Sequence, residues 1–205
     1  DGKNAFARTK PLARPLTEKT LEAWVRVADL EQRGGGVISL QTINGNIFDA
    51  IVYGEREAQR WMAGSDGFRR YQPFGATIET ESEALVHVAI TYAADGTITG
   101  YRNGASYGAA YKNSLQKYAA ETTELVFGIR HGTAAGGNRM FNGTIARARL
   151  YDRALTAAEL EASAQSSGMV IVSEEDLVAQ LTTRQRARRT EIKRQIHQAQ
   201  ATLDN

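Results

Sequence analysis

Cysteine is absent from the chain, which excludes disulfides and thiolate chemistry and argues against a zinc site. A chain of 205 residues is long enough to bury a full core without covalent staples. The absence assigns no compartment. Histidine is scarce, and His87, His131 and His197 stand far apart, so the sequence offers neither a metal-ligand cluster nor a triad. No run approaches the roughly 18 consecutive apolar residues of a membrane-spanning helix, and direct membrane insertion is not expected. A strong charge of one sign is also missing: the formal net charge is +2, which by itself argues for no particular partner. The chain opens on Asp1 with no leader-like segment, and the expectation is a processed or excised piece of a longer protein.

Charge is unevenly placed. Residues 182–205 carry Arg184, Arg186, Arg188, Arg189, Lys193 and Arg194 against Glu191 and Asp204 alone. The tail is therefore basic and the remainder mildly acidic. The pattern predicts one domain plus an appendage: a domain over residues 1–166, a linker over 167–172, and an amphipathic basic helix over 173–205. That helix would reach to about Leu203 and span ~45 Å. Its apolar stripe of Leu177, Leu181, Ile192, Ile196, Ala199 and Leu203 is interrupted by Gln185 and Arg188. The expectation is a helix that packs on other domains of the same polypeptide. No aromatic or base-reading motif accompanies the arginines, so no nucleic-acid partner is expected.

The first 166 residues read as β-structure. Leu21, Ala23, Val25 and Val27 alternate with Glu22, Trp24 and Arg26, the period of a strand with one face on a core. Val86, Val88, Ile90 and Tyr92 repeat the pattern. Asn44-Gly45, Asp95-Gly96 and Asn103-Gly104 are tight-turn dipeptides, and the last two predict an antiparallel meander around Thr97–Arg102. Further strands are expected over Val37–Leu40, Phe48–Val52, Gln59–Ala63, Leu125–Ile129 and Phe141–Tyr151. Gly2–Pro15 reads as a lead-in strand at an edge, and residues 64–84 as loop. Many short strands at this spacing mean a sandwich or barrel. After the last strand, Thr156 stands at an N-cap with Glu159 three residues on, a capping box for a short helix.

The closing run, Gly143-Thr144-Ile145 through Arg149-Leu150-Tyr151-Asp152-Arg153-Ala154-Leu155-Thr156 to Glu159, resembles the last strand of LamG-like domains of the concanavalin A-like lectin/glucanase superfamily. Trp24-Val25, His87-Val88-Ala89-Ile90-Thr91-Tyr92, Asp95-Gly96 with Tyr101-Arg102-Asn103-Gly104, and Phe127-Gly128 resemble further family segments in order, over about residues 5–166. The resemblance implies a mainly β fold, an antiparallel jelly-roll sandwich followed by a short helix and the long C-terminal extension. Glu31–Val37, Phe48–Glu55 and Trp61–Ser65 are also similar to the lectin-like insert of large planctomycete surface proteins that carry a cytochrome-c-like segment. This implies a bacterial, extracytoplasmic setting: periplasmic, cell-surface or secreted.

Chemistry is sparse. A glucanase of this superfamily would carry catalytic carboxylates at E-x-D-x-x-E spacing. Glu174-Glu175-Asp176 has Ala179 where the last Glu belongs, and Glu79-Thr80-Glu81-Ser82-Glu83 has no Asp. The chain is thus expected not to be an enzyme and to need no cofactor. The sequence reading is a non-catalytic recognition module, with a glycan as the expected ligand. The alternative is a structural spacer or protein-contact domain. Sugar binding would use a surface assembled from Tyr53, Trp61, Phe68, Arg69, Arg70 and Tyr71, with Tyr53, Trp61 or Tyr71 as the aromatic platform and hydrogen bonds from Arg69, His131 and Arg139. The alternative is that Trp61 and Phe68 are core residues plugging the end of the sandwich, and for Trp61 the core reading is the favoured one. His87, central in a strand, reads as structural. Calcium is common in LamG-like domains, and Asp49, Asp66 and Asn138 are the candidate donors.

Overall fold

The computed structural model describes residues 1–166 and 181–203. Over the first stretch, two antiparallel sheets form a jelly-roll sandwich. One sheet has the order β1 (Ala7–Arg8), β10 (Thr123–Phe127), β3 (Gly35–Thr42), β4 (Phe48–Tyr53), β5 (Trp61–Ser65). The other has the order β11 (Gly143–Tyr151), β2 (Lys19–Val27), β6 (Leu85–Tyr92), β7 (Thr97–Arg102), β8 (Ala105–Ser106), with β9 (Tyr111–Lys112) also on β7. The expected meander is β6-β7-β8, and the expected lead-in strand is the edge strand β1. Boundaries shift by one or two residues: β3 extends to Gly35 and Thr42, β4 ends at Tyr53, β11 starts at Gly143, β5 runs Trp61–Ser65 rather than from Gln59 to Ala63, and β10 runs Thr123–Phe127 rather than from Leu125 to Ile129.

Alternation explains the interior. Leu21, Ala23 and Val25 of β2 and Val88 and Ile90 of β6 meet Ile38, Leu40, Ile51 and Tyr53 of the first sheet in one buried cluster. The opposite face of the second sheet is buried as well. Glu22 accepts from Tyr151 Oη at 3.0 Å and lies 2.9 Å from His87 Nε2, while Arg147 and Arg149 lie over the Trp24 ring. His87 is structural, as its position in the strand suggested. Helix α1 (Ala157–Gln165) covers the neighbouring part of this face, burying Leu160 against Ala89 and Tyr101. The capping box forms: Glu159 N donates to Thr156 Oγ1, and Thr156 N donates to the Glu159 carboxylate. No open aromatic surface is left on the second sheet at Trp24, which is 1% exposed.

The second described stretch contains helix α2 (Thr183–Leu203). Thr182 and Gln185 cap its start reciprocally. Ile192 and Ile196, one turn apart, are exposed on it. The linker expected at 167–172, the helix start at 173 and Leu177 of the stripe lie outside the described residues.

Candidate functional site

The outer face of the first sheet carries two segments that converge. The first is the connection from β10 to β11, which crosses the sheet instead of leaving it. Ser39 Oγ donates to Arg130 O at 2.7 Å, while Gln41 donates to Gly132 O and accepts from Gly132 N. The second is the turn Asp66–Phe68 that follows β5, whose Phe68 packs with Tyr71 on Phe48, Ala50, Val52 and Met62. The β3–β4 hairpin closes the third side. Gly45 there has a φ of 72° and lies against the Gly132 backbone with no room for a Cβ, so this approach requires glycine.

Between them lies a polar hollow of about 260 Å³ lined by Asn46, Phe48, Glu55, Asp66, Phe68, Arg130 and His131, among others. Phe68 holds a left-handed φ of 58°, a conformation that costs a bulky residue energy and collects at functional positions. The His131 ring stacks on Phe48, with centroids 4.4 Å apart and planes 9° from parallel. Its Nδ1 lies 3.1 Å from Gly45 O. A carbonyl only accepts, so Nδ1 carries the proton and neutral His131 keeps an acceptor lone pair on Nε2. Burial, helped by the Arg130 charge, pulls the His131 pKa below its ordinary value. Glu55 pairs with Arg130; burial raises its pKa despite that partner. The hollow thus combines acceptors (Asp66, Glu55, His131 Nε2), a guanidinium and apolar walls.

A larger hollow of about 450 Å³ at the sandwich edge is lined by Leu12, Ala13, Arg14, Leu16, Leu150, Tyr151 and Asp152. It is mainly apolar, with Arg14, Tyr151 and Asp152 as its polar side chains, so the more polar smaller hollow is the stronger candidate for a polar ligand.

The structure separates the sequence candidates. Tyr53 and Trp61 are 0% and 1% exposed, and neither serves as a platform. They pair across β4 and β5 on the inner face, edge to face with centroids 4.9 Å apart. Trp61 Nε1 donates to Glu79, and Tyr53 Oη to Leu30 O. The core reading of Trp61 is the correct one. His131 lines the hollow, and Arg139 reaches the His131 carbonyl at 3.3 Å. Tyr71, half-buried, donates to Glu57 and flanks Phe68. Arg69 is exposed beside Asp66, 3.9 Å from its carboxylate. Asn46, Glu55 and Arg130 carried no signal in the sequence, because only the folded loops bring them together.

The calcium expectation needs correction. Asp49 and Asp66 do come together, but on a guanidinium. Arg70 Nε donates to Asp49 Oδ1 at 2.7 Å, and one Arg70 terminal nitrogen donates to Asp66 Oδ1 at 2.5 Å and to Phe48 O at 2.9 Å. Lys19 takes Asp49 Oδ2 at 2.9 Å. Asn138 sits exposed on the separate turn Gly137–Arg139. Both carboxylates are already balanced by cations, and Asp49 is fully buried, so these residues do not fit a calcium ion. Among the described residues no three His, Cys, Asp or Glu side chains are grouped to hold a metal.

Two antiparallel sheets closed by crossing loops define the class of lectin-like jelly-roll domains. The sequence matches the family model of the concanavalin A-like lectin/glucanases superfamily over residues 1–161, and the chain belongs to that family. No curated protein matches the sequence. Among solved structures it is similar to domain 4 of an extracellular arabinanase from Geobacillus stearothermophilus, in complex with arabinotriose (16% identity, 80% of this chain and 82% of that one, TM-score 0.61). It is also similar to the heptameric SAP-like pentraxin of Limulus polyphemus (15%, 82% and 79%, 0.58). A third is the CBM40 domain of Ruminococcus gnavus IT-sialidase, bound to α2,3-sialyllactose (12%, 73% and 83%, 0.52). At these identities the likeness concerns the fold.

Proposed function

We propose that the domain is a non-catalytic carbohydrate-recognition module and that its site is the hollow between the β3–β4 hairpin, the Asp66–Phe68 turn and the loop crossing the first sheet. The observation that carries the reading is the lining. A sugar ring presents hydroxyls around its rim and C–H groups on its faces. Asp66, Glu55 and His131 Nε2 accept from hydroxyls, Arg130 donates to them, and Phe68 offers an apolar wall. Arg70 and Arg130 balance the two carboxylates, a charge-neutral lining that suits a neutral sugar, and the volume suits a single ring. Both carboxylates are engaged by arginines, which supports binding rather than acid–base catalysis. Two neighbours of similar fold were solved with an oligosaccharide bound, consistent with this use of the fold. The setting we infer is the extracytoplasmic part of a larger bacterial surface protein, as the resemblance to the planctomycete insert implies.

The test is a glycan array probed with the wild-type chain, Phe68→Ala and His131→Ala. Saturable binding to a neutral glycan that both variants lose supports the module. A folded wild type that binds nothing on the array contradicts it.

The rival reading, a structural or protein-contact domain, is favoured by one observation: Ile192 and Ile196 are exposed on α2 at 45% and 52%, a face suited to other domains of the same polypeptide. An added neighbouring domain that shields both residues from solvent, with an empty glycan array, would establish it.

A further inference from the structure

Arg70 is the hub of a charge network that spans the sandwich from its core to the rim of the hollow. Its guanidinium is enclosed by three oxygens from two places in the chain: the Phe48 carbonyl and Asp49 carboxylate of β4, and the Asp66 carboxylate of the turn after β5. Two carboxylates and a backbone carbonyl are the donor types that hard divalent cations take from proteins. The side chain of Arg70 is only 7% exposed, and its neighbours hold it further: Arg70 N donates to Ser65 Oγ, and Tyr111 Oη donates to Arg70 O. Burial works against its charge, but Asp49 and Asp66 outweigh it and hold the guanidinium protonated. Asp66 is also a wall of the hollow. Whatever holds Asp66 therefore sets the shape of the hollow.

We propose that Arg70 is a built-in cation: it takes the place of a divalent ion between Asp49, Asp66 and the Phe48 carbonyl, and so fixes the Asp66–Phe68 turn, and the acceptor it presents, without metal. Two consequences are independent of one another. The wild-type fold neither needs nor responds to calcium. Shortening Arg70 uncovers an oxygen cradle that gains affinity for a hard cation, even with Lys19 still on Asp49. A third, that sugar binding is insensitive to chelator, rests on the carbohydrate reading above, whereas the first two do not.

The experiment compares wild type, Arg70→Ala and Arg70→Ala/Asp66→Asn by thermal melting in EDTA and in millimolar calcium, and by terbium luminescence excited through the nearby tyrosines. The wild type is expected to melt at one temperature in both buffers and to give no terbium signal. Arg70→Ala is expected to melt lower in EDTA, to recover several degrees in calcium and to gain tyrosine-sensitised emission. Removing Asp66 from that background should abolish both gains. Calcium-dependent melting of the wild type overturns the proposal. So does an Arg70→Ala protein that gains neither stability nor emission, including one that stays unfolded in calcium. If the glycan array is empty while the metal responses appear as stated, the carbohydrate reading fails and the built-in cation stands.

Discussion

Lys19 of β2 and Asp49 of β4 stand 2.9 Å apart across the interior of the sandwich, and neither side chain reaches solvent. Lys19 Nζ also lies over the Tyr92 ring, 4.2 Å from its centroid. Burial lowers the Lys19 pKa, and Asp49 opposes that shift. The two partners are not equivalent, because Asp49 serves Arg70 as well. Asp49→Asn leaves two buried cations short of a counter-charge and is expected to cost about 3–5 kcal/mol. Lys19→Met leaves Asp49 paired to Arg70 and is expected to cost clearly less. Urea denaturation of both variants measures this; equal losses would contradict the asymmetry.

His131 supplies a pH dependence of definite sign. Its pKa is lowered in the folded domain, so on acidification the unfolded chain takes up a proton first, near the ordinary histidine value of about 6.5. Stability contributed by the neutral ring is full above that pH and is lost as pH falls towards the folded pKa. Protonation also converts Nε2 from acceptor to donor. Sugar affinity is therefore expected to fall as the pH drops below the ordinary histidine value of about 6.5, and His131→Gln, which keeps an acceptor but cannot titrate, to flatten that profile. Calorimetric titration across the range checks both; an unchanged profile in His131→Gln would remove His131 from the site.

Trp61 and Phe68 are expected to behave oppositely. Trp61→Ala empties core volume and removes one of the hydrogen bonds to buried Glu79, which Arg102 still pairs, at about 3–5 kcal/mol. Phe68→Ala removes a half-buried wall of the hollow and is expected to leave the melting temperature within a few degrees while weakening sugar binding at least tenfold. Melting curves and binding isotherms on the same samples separate the two. Binding that survives Phe68→Ala at full strength would move the site elsewhere.

At α1, Thr156→Ala breaks the capping box and is expected to cost about 1 kcal/mol. Because the helix buries Leu160 against the second sheet, the loss should appear in the unfolding of the sandwich as a whole. A denaturation midpoint equal to wild type would mean that α1 frays without consequence for the sheet.

The interior of the second sheet was legible from alternation, since Leu21, Ala23 and Val25 could face only a core. Its outer face was not: Glu22 and Trp24 read as the polar-side partners of that alternation, but arginines of β11 and helix α1 bury them. Trp61 shows a second limit. Whether it points in or out depends on the register of β5 against β4, where it opposes Tyr53, and the chain between those strands does not fix that register. Arg70 shows a third. Its neighbours Asp66 and Arg69 are visible in sequence, but Asp49 and the Phe48 carbonyl reach it only once β4 pairs with β5.

The hollow beside His131 is the proposed sugar site. Its most direct test is an amide-resolved NMR titration with a glycan selected from the array. Saturable shifts concentrated at Asn46, Asp66–Phe68 and Arg130–His131 are the predicted result. Shifts concentrated at the edge groove of Leu12–Arg14 and Leu150–Asp152, or on the outer face of the second sheet, would contradict it.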